Sequence, residues 1–266
     1  MKKLSLLLLL LSVVCVNAQN KMTVEQLKEK TDSIIVEANL LFKYEKAIWT
    51  SIDLANANEE VKINFKNYLV YQEGDSMITL ILNKDNQCIY DIAYFADFPY
   101  PIRKTLGTRS LSAKEKNLLT VKQKIFDGIV EEKVEIPSFK DFDSGTQLIP
   151  FGKEYKFYIL SGTVLKNTIP FGNDYLFIAD KKGVLKSWKK FHKGLMALKT
   201  VESDGQSWTE TLHSHKIEPF ISATDICTFR LYGSLCGQTS FQVYSPGLGV
   251  YFKYKLAENE IEIVGQ

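Results

Sequence analysis

The stretch "TLHSHKIEPFISATDICTF", Thr211 to Phe229, decides how the chain is read. Alternation over "SWTETLHSHK", with its Trp and Thr content, predicts a strand. "SATDICTFRLYG" predicts a helix of about three turns that begins at Ser222 and stops at Gly233. Side chains alternate across a strand, so His213 and His215 share one face and lie about 7 Å apart at the backbone. Asp225 falls in the first helical turn. Two imidazoles and a carboxylate suit zinc, and three protein ligands leave a fourth position for water, the catalytic arrangement. Cys227 lies roughly 200° around the helix from Asp225, so the two cannot face one ion. The same residues also have a reading without metal. Ser222 and Asp225 match a capping box, and an acid in the first turn suits the helix dipole.

Other parts of the chain set the frame. Residues 1–18, "MKKLSLLLLLLSVVCVNA", read as a signal peptide: two lysines, a short apolar run, and a small residue at the cut. Val14 before Cys15 is a poor lipoprotein signal. The remainder is expected to be exported, to the periplasm or beyond the cell, and no later run is apolar enough to span a membrane. Of 33 basic and 31 acidic residues, Lys2 and Lys3 lie in the leader, so the rest is balanced. A balanced chain without a basic run gives no attraction to nucleic acid. Cys88, Cys227 and Cys236 are odd in number; Cys227 could pair with Cys236, or all three are small buried hydrophobes.

The predicted class is α+β. Thr23 to Asn56 has helical spacing and a capping box of Thr23 with Gln26. "YLVYQEGDSMITLIL" reads as a hairpin and "CIYDIAYF" as a third strand, with Pro99 and Pro101 closing the block. Leu111 to Ile129 returns to helix behind a Ser112 cap. Residues 19–145 are therefore expected as an N-terminal α+β region of unknown role, and 146–266 as a second, strand-rich domain. Within it "IPFGKEY" (Ile149 to Tyr155) is echoed by "IPFGNDY" (Ile169 to Tyr175), each leading into an apolar strand. "DKKG" at Asp180 to Gly183 is a hairpin turn, and "TSFQVYSPGLGVYFKYKL" a closing hairpin.

The order His-x-His, loop, Ser-x-x-Asp at a helix start, then a strand pair resembles the JAMM motif of the MPN/JAB metalloprotease family, over roughly residues 147–256. The resemblance implies a sheet flanked by helices, zinc on His213, His215 and Asp225, and Ser222 helping to stabilise the oxyanion. It also implies an upstream glutamate as general base on the zinc water. Glu154, before "YKFYILSG", is the best match, and Asp174 occupies the same setting in the echo. The loop from His215 to Ser222 is one residue shorter than the family's usual spacing, and Lys216 stands where the family has proline. His192, in "KKFHKG", reads as a solvent-exposed histidine at a strand end. The function expected from the resemblance is an exported zinc peptidase or isopeptidase acting on a peptide or protein. The alternative is a non-catalytic secreted interaction or scaffold module on a degenerate JAMM-like fold. H-E-x-x-H, G-x-S-x-G and Walker A sequences do not occur, which removes the zincin, α/β-hydrolase and P-loop classes.

Overall fold

A computed structural model describes residues 22–95, 100–201 and 205–265. The expected signal peptide lies outside them. The fold is α+β, with four α-helices and several mainly antiparallel sheets among the described residues. None of the described helices is long and apolar enough to cross a membrane.

Helix α1 (Val24–Asn56) starts at the Thr23–Gln26 capping box. Its buried positions, Leu27, Thr31, Ile34, Ala38, Leu41, Tyr44, Glu45 and Ile48 among them, recur every three or four residues and form one continuous stripe. One member, Glu45, is a carboxylate. The short helix α2 (Glu59–Asn64) leads into a meander of β1 (Asn67–Glu73), β2 (Ser76–Leu82), β3 (Cys88–Phe95) and β4 (Pro101–Arg109). The prolines predict an end to this block, yet β4 begins at Pro101. Proline is tolerated as the first residue of an edge strand. β4 buries almost nothing, so it carries no apolar alternation to betray it.

Helix α3 (Ala113–Glu131) begins at a second capping box, Ser112 with Glu115. The second sheet has the order β5 (Phe142–Phe151), β6 (Glu154–Thr163), β8 (Tyr175–Asp180), β9 (Leu185–Lys190). A two-stranded ribbon pairs β7 (Thr168–Gly172) with β10 (Leu195–Lys199). The last sheet runs β11 (Glu210–Ser214), β12 (Ser240–Ser245), β13 (Val250–Lys255), β14 (Glu260–Val264). β11 and β12 are parallel, so the chain between them must cross over, and helix α4 (Ala223–Tyr232) is that crossover. The closing hairpin is β12–β13, extended by β14.

The apolar clusters run across the sequence boundary expected near residue 145. Leu41, Tyr44 and Ile48 of α1 share a cluster with Ile81 and Ile92 of the meander and with Tyr158 and Leu176 of the second sheet. Farther back on α1, Ile34 and Ala38 pack with Ile226 and Phe229 of α4 and Phe241 and Phe252 of the last sheet. Each fully buried Leu, Ile or Phe contributes about 2 kcal/mol of transfer free energy. α1 is thus the element against which both regions fold.

The two echoed segments build different structures. Phe151 and Glu154 close a β5–β6 hairpin. In the second copy Gly172 has φ +81°, and a side chain there would drive into the Gly194 carbonyl. The chain turns away through Asn173 and Asp174 and enters β8 in another sheet.

Candidate metal centre

In a β-α-β crossover the helix start returns to the carboxyl end of the strand it follows. That topology brings Ser222 and Asp225, at the start of α4, to His213 and His215, at the end of β11. Thr211, His213 and His215 are buried, while Leu212 and Ser214 face out, as alternation predicts.

A fourth group joins them from the second sheet. His192 follows β9 and is only 5% exposed, not a solvated strand-end residue. Its Nε2 lies 2.8 Å from His215 Nε2 and 3.2 Å from Asp225 Oδ1. His213 Nε2 is 3.2 Å from His215 Nε2 and 3.4 Å from Asp225 Oδ1, and His215 Nε2 is 3.1 Å from Asp225 Oδ2. Edges of a tetrahedron of nitrogen and oxygen ligands around zinc are about 3.3 Å, so the donor spacing suits a small cation. His192, His213, His215 and Asp225 form a buried group that could hold a metal ion.

The hydrogen bonds around the cluster support that chemistry. His215 Nδ1 meets the Phe220 carbonyl at 2.6 Å. A carbonyl only accepts, so Nδ1 carries the proton and a neutral His215 turns a lone pair inward from Nε2. His192 Nδ1 meets Asp174 Oδ1 at 2.7 Å, and Thr224 donates to the other Asp174 oxygen. This is the carboxylate–histidine support that fixes a metal-ligating imidazole. Two inward nitrogens 2.8 Å apart repel unless a cation sits with them. A proton on His192 would serve one contact, but His213 also points at the same His215 nitrogen, which has a single lone pair.

Asp225 divides its work. Its Oδ2 accepts from the Ser222 amide at 2.9 Å and the Ser222 hydroxyl at 2.7 Å, completing the cap. Its Oδ1 is buried, faces His192 and His213, and has no hydrogen-bond partner among the described residues. Unmade bonds on a buried carboxylate are costly, and a coordinated cation removes that cost. The field here favours positive charge. Desolvation alone pushes His192 down, but the Asp225 and Asp174 carboxylates outweigh it and raise its pKa to about 11. His213, where burial dominates, is shifted down. Desolvation pushes Asp225 up, yet His192 and His215 more than reverse it and hold the acid well below its ordinary value.

The structure therefore unites His213, His215 and Asp225, and adds His192 and Asp174. It does not bring Glu154 to them. Glu154 pairs with Lys186 at 2.8 Å and stands opposite Asp180. Tyr175, beside Asp174, stands opposite Ile159, about 17 Å along β6 from Glu154. Ser222 is at the site, but its hydroxyl is bound to Asp225 rather than free for a substrate oxyanion. The three cysteines Cys88, Cys227 and Cys236 are free thiols.

A cleft of about 230 Å³ opens beside His192, between Phe191–Met196 and Ser214–Ile217. Lys193 and Lys216 line it, and none of its lining residues is Asp or Glu. No protein-family model, curated protein or solved structure matches this chain.

Proposed function

We propose that this chain is an exported, non-catalytic module on a JAMM-like scaffold, held together by a structural zinc. His192, His213, His215 and Asp225 would bind the ion. One observation carries this: a third imidazole joins the group, His192 Nε2 lying 2.8 Å from His215 Nε2 and 3.2 Å from Asp225 Oδ1, so the donors number four. Four protein ligands make a closed site, the pattern of structural rather than catalytic zinc. The cleft beside it supports the same reading, because a zinc hydrolase of this kind needs an acid within hydrogen-bond reach of the water and no Asp or Glu lines the cleft. The His-x-His and Ser-x-x-Asp pairs on strand end and helix start support the JAMM-like scaffold.

The ion would tie the segment after β9, in the second sheet, to the end of β11 and the start of α4. Its chemistry is charge neutralisation of Asp225 and fixing of three rings. Purified protein loaded with one equivalent of zinc is expected to cut neither unfolded peptides nor isopeptide-linked substrates. Chelation is expected to lower its melting temperature, since binding free energy to a site absent from the unfolded chain is folding free energy. Zinc-dependent cleavage that His213→Ala abolishes would overturn the module reading in favour of the peptidase.

A further inference from the structure

Glu45 interrupts the apolar stripe of α1. It is 9% exposed, and its Oε1 is buried with no hydrogen-bond partner among the described residues. The neighbouring Gln147 has an unpartnered amide nitrogen of its own. A buried acid in this state needs a reason.

Glu45 lines a cavity of about 730 Å³ between α1, the β5–β6 hairpin and the second half of α4. That volume is within the range of pockets that enclose a small organic molecule. Its walls are largely apolar and aromatic, with Ile48, Trp49, Leu160 and Tyr232 among them. The aromatic hydroxyls are already engaged: Tyr68 bonds Thr146 and Tyr232 bonds Thr163. Gly145 also lines the cavity, and a Cβ there would touch the two Glu45 oxygens at 3.7 and 3.8 Å. The absent side chain leaves the carboxylate uncovered on that side. The other charged lining residues are Asp53, Asp143 and Lys166, so acids outnumber bases three to one.

We infer that this cavity binds a small hydrophobic amine, its ammonium paired with Glu45 and its apolar body against Trp49, Leu160 and Tyr232. An ammonium supplies the donors that Glu45 lacks, and a charge-assisted bond in a desolvated site is about twice as strong as a neutral one. Aromatic faces add cation–π attraction. A carboxylate ligand would meet three acids. Burial pushes the Glu45 carboxyl up to about 7, with Gln147 pulling it partway back, and a bound ammonium would offset that desolvation of the charged form. The inference is independent of the zinc.

Three probes with the same indolyl-ethyl body test it by calorimetry on the purified protein: tryptamine, tryptophol and indole-3-propionate. Tryptamine is expected to bind at least ~10-fold more tightly than tryptophol, and the acid not at all up to roughly 5 mM, a tenfold step being about 1.4 kcal/mol. Glu45→Gln is expected to erase the preference for the amine. Gly145→Ala covers the carboxylate while keeping its charge, and its Cβ meets only ordinary contacts, so it keeps the test sound if Glu45→Gln folds poorly. It too is expected to weaken tryptamine at least ~10-fold. No binding of tryptamine, equal binding of the alcohol, or unchanged tryptamine affinity in both variants would overturn the inference.

Discussion

His192 Nε2 lies 2.8 Å from His215 Nε2, although one residue ends a strand of the second sheet and the other ends a strand of the last. The rings meet nearly edge to face, with centroids 4.5 Å apart. No backbone pairing joins these two sheets at that point. The contact between the imidazoles, with Asp225 beside them and Thr224 bonded to Asp174, is one of the links between the two sheets.

Loss of that ring is therefore expected to loosen the metal more than a surface histidine would. His192→Ala should weaken zinc affinity at least ~100-fold, a ligand being worth no less than its supporting partners. Competition with a chromophoric chelator measures it. The variant should also gain an exchangeable water, and with it sensitivity to added anions.

Asp174→Asn keeps a hydrogen-bond acceptor for His192 Nδ1 but removes the charge and disturbs the Thr224 hydroxyl. Supporting partners of this kind are worth roughly 10-fold to 100-fold in metal affinity. The same chelator competition should place this variant between the parent protein and His192→Ala. A variant equal to the parent would remove Asp174 from the site.

Gly172→Ala tests how Asp174 is delivered. Left-handed backbone costs a residue with a side chain about 1–2 kcal/mol, and the new methyl group would strike the Gly194 carbonyl. Denaturant unfolding should report a loss of more than about 2 kcal/mol, with weaker zinc binding alongside. Gly74→Ala also sits at positive φ but meets nothing within 4 Å, so it should cost only the backbone share.

Glu45 makes stability depend on pH in a defined direction. Burial raises its carboxyl from an ordinary 4.5 to about 7. Between those values the folded protein holds a proton that the unfolded chain has released. Stability therefore falls as pH rises from 4.5 through 7, by about 3 kcal/mol in all. The groups facing it, Tyr68, Cys227 and Tyr232, are shifted upward by their burial and titrate above that window. Glu45→Gln should lose this slope and become the more stable protein near pH 8. Denaturant midpoints across pH 4.5 to 8 give the comparison.

The elements whose patterns are local were legible in the sequence. Thr23, Ser112 and Ser222 cap the three long helices as their spacing implied. His213 and His215 share a buried face because alternation dictates it. β4 was missed because an exposed edge strand has no apolar code. His192 was missed for a related reason. The residues before it, Lys186 to Lys189, are exposed, and its burial comes from a contact between sheets that no periodicity records. Asp174 was visible only as an echo of Glu154. The left-handed turn at Gly172 sends the two copies to different places, and that depends on Gly194, a residue distant in sequence.

Zinc K-edge X-ray absorption of the purified protein tests the closed metal centre most directly. The expected spectrum has one zinc per chain, four nitrogen or oxygen ligands, and outer-shell scattering from three imidazoles, reduced to two in His192→Ala. A protein without bound metal, or a centre with two imidazoles and a water while His192 is intact, would contradict it.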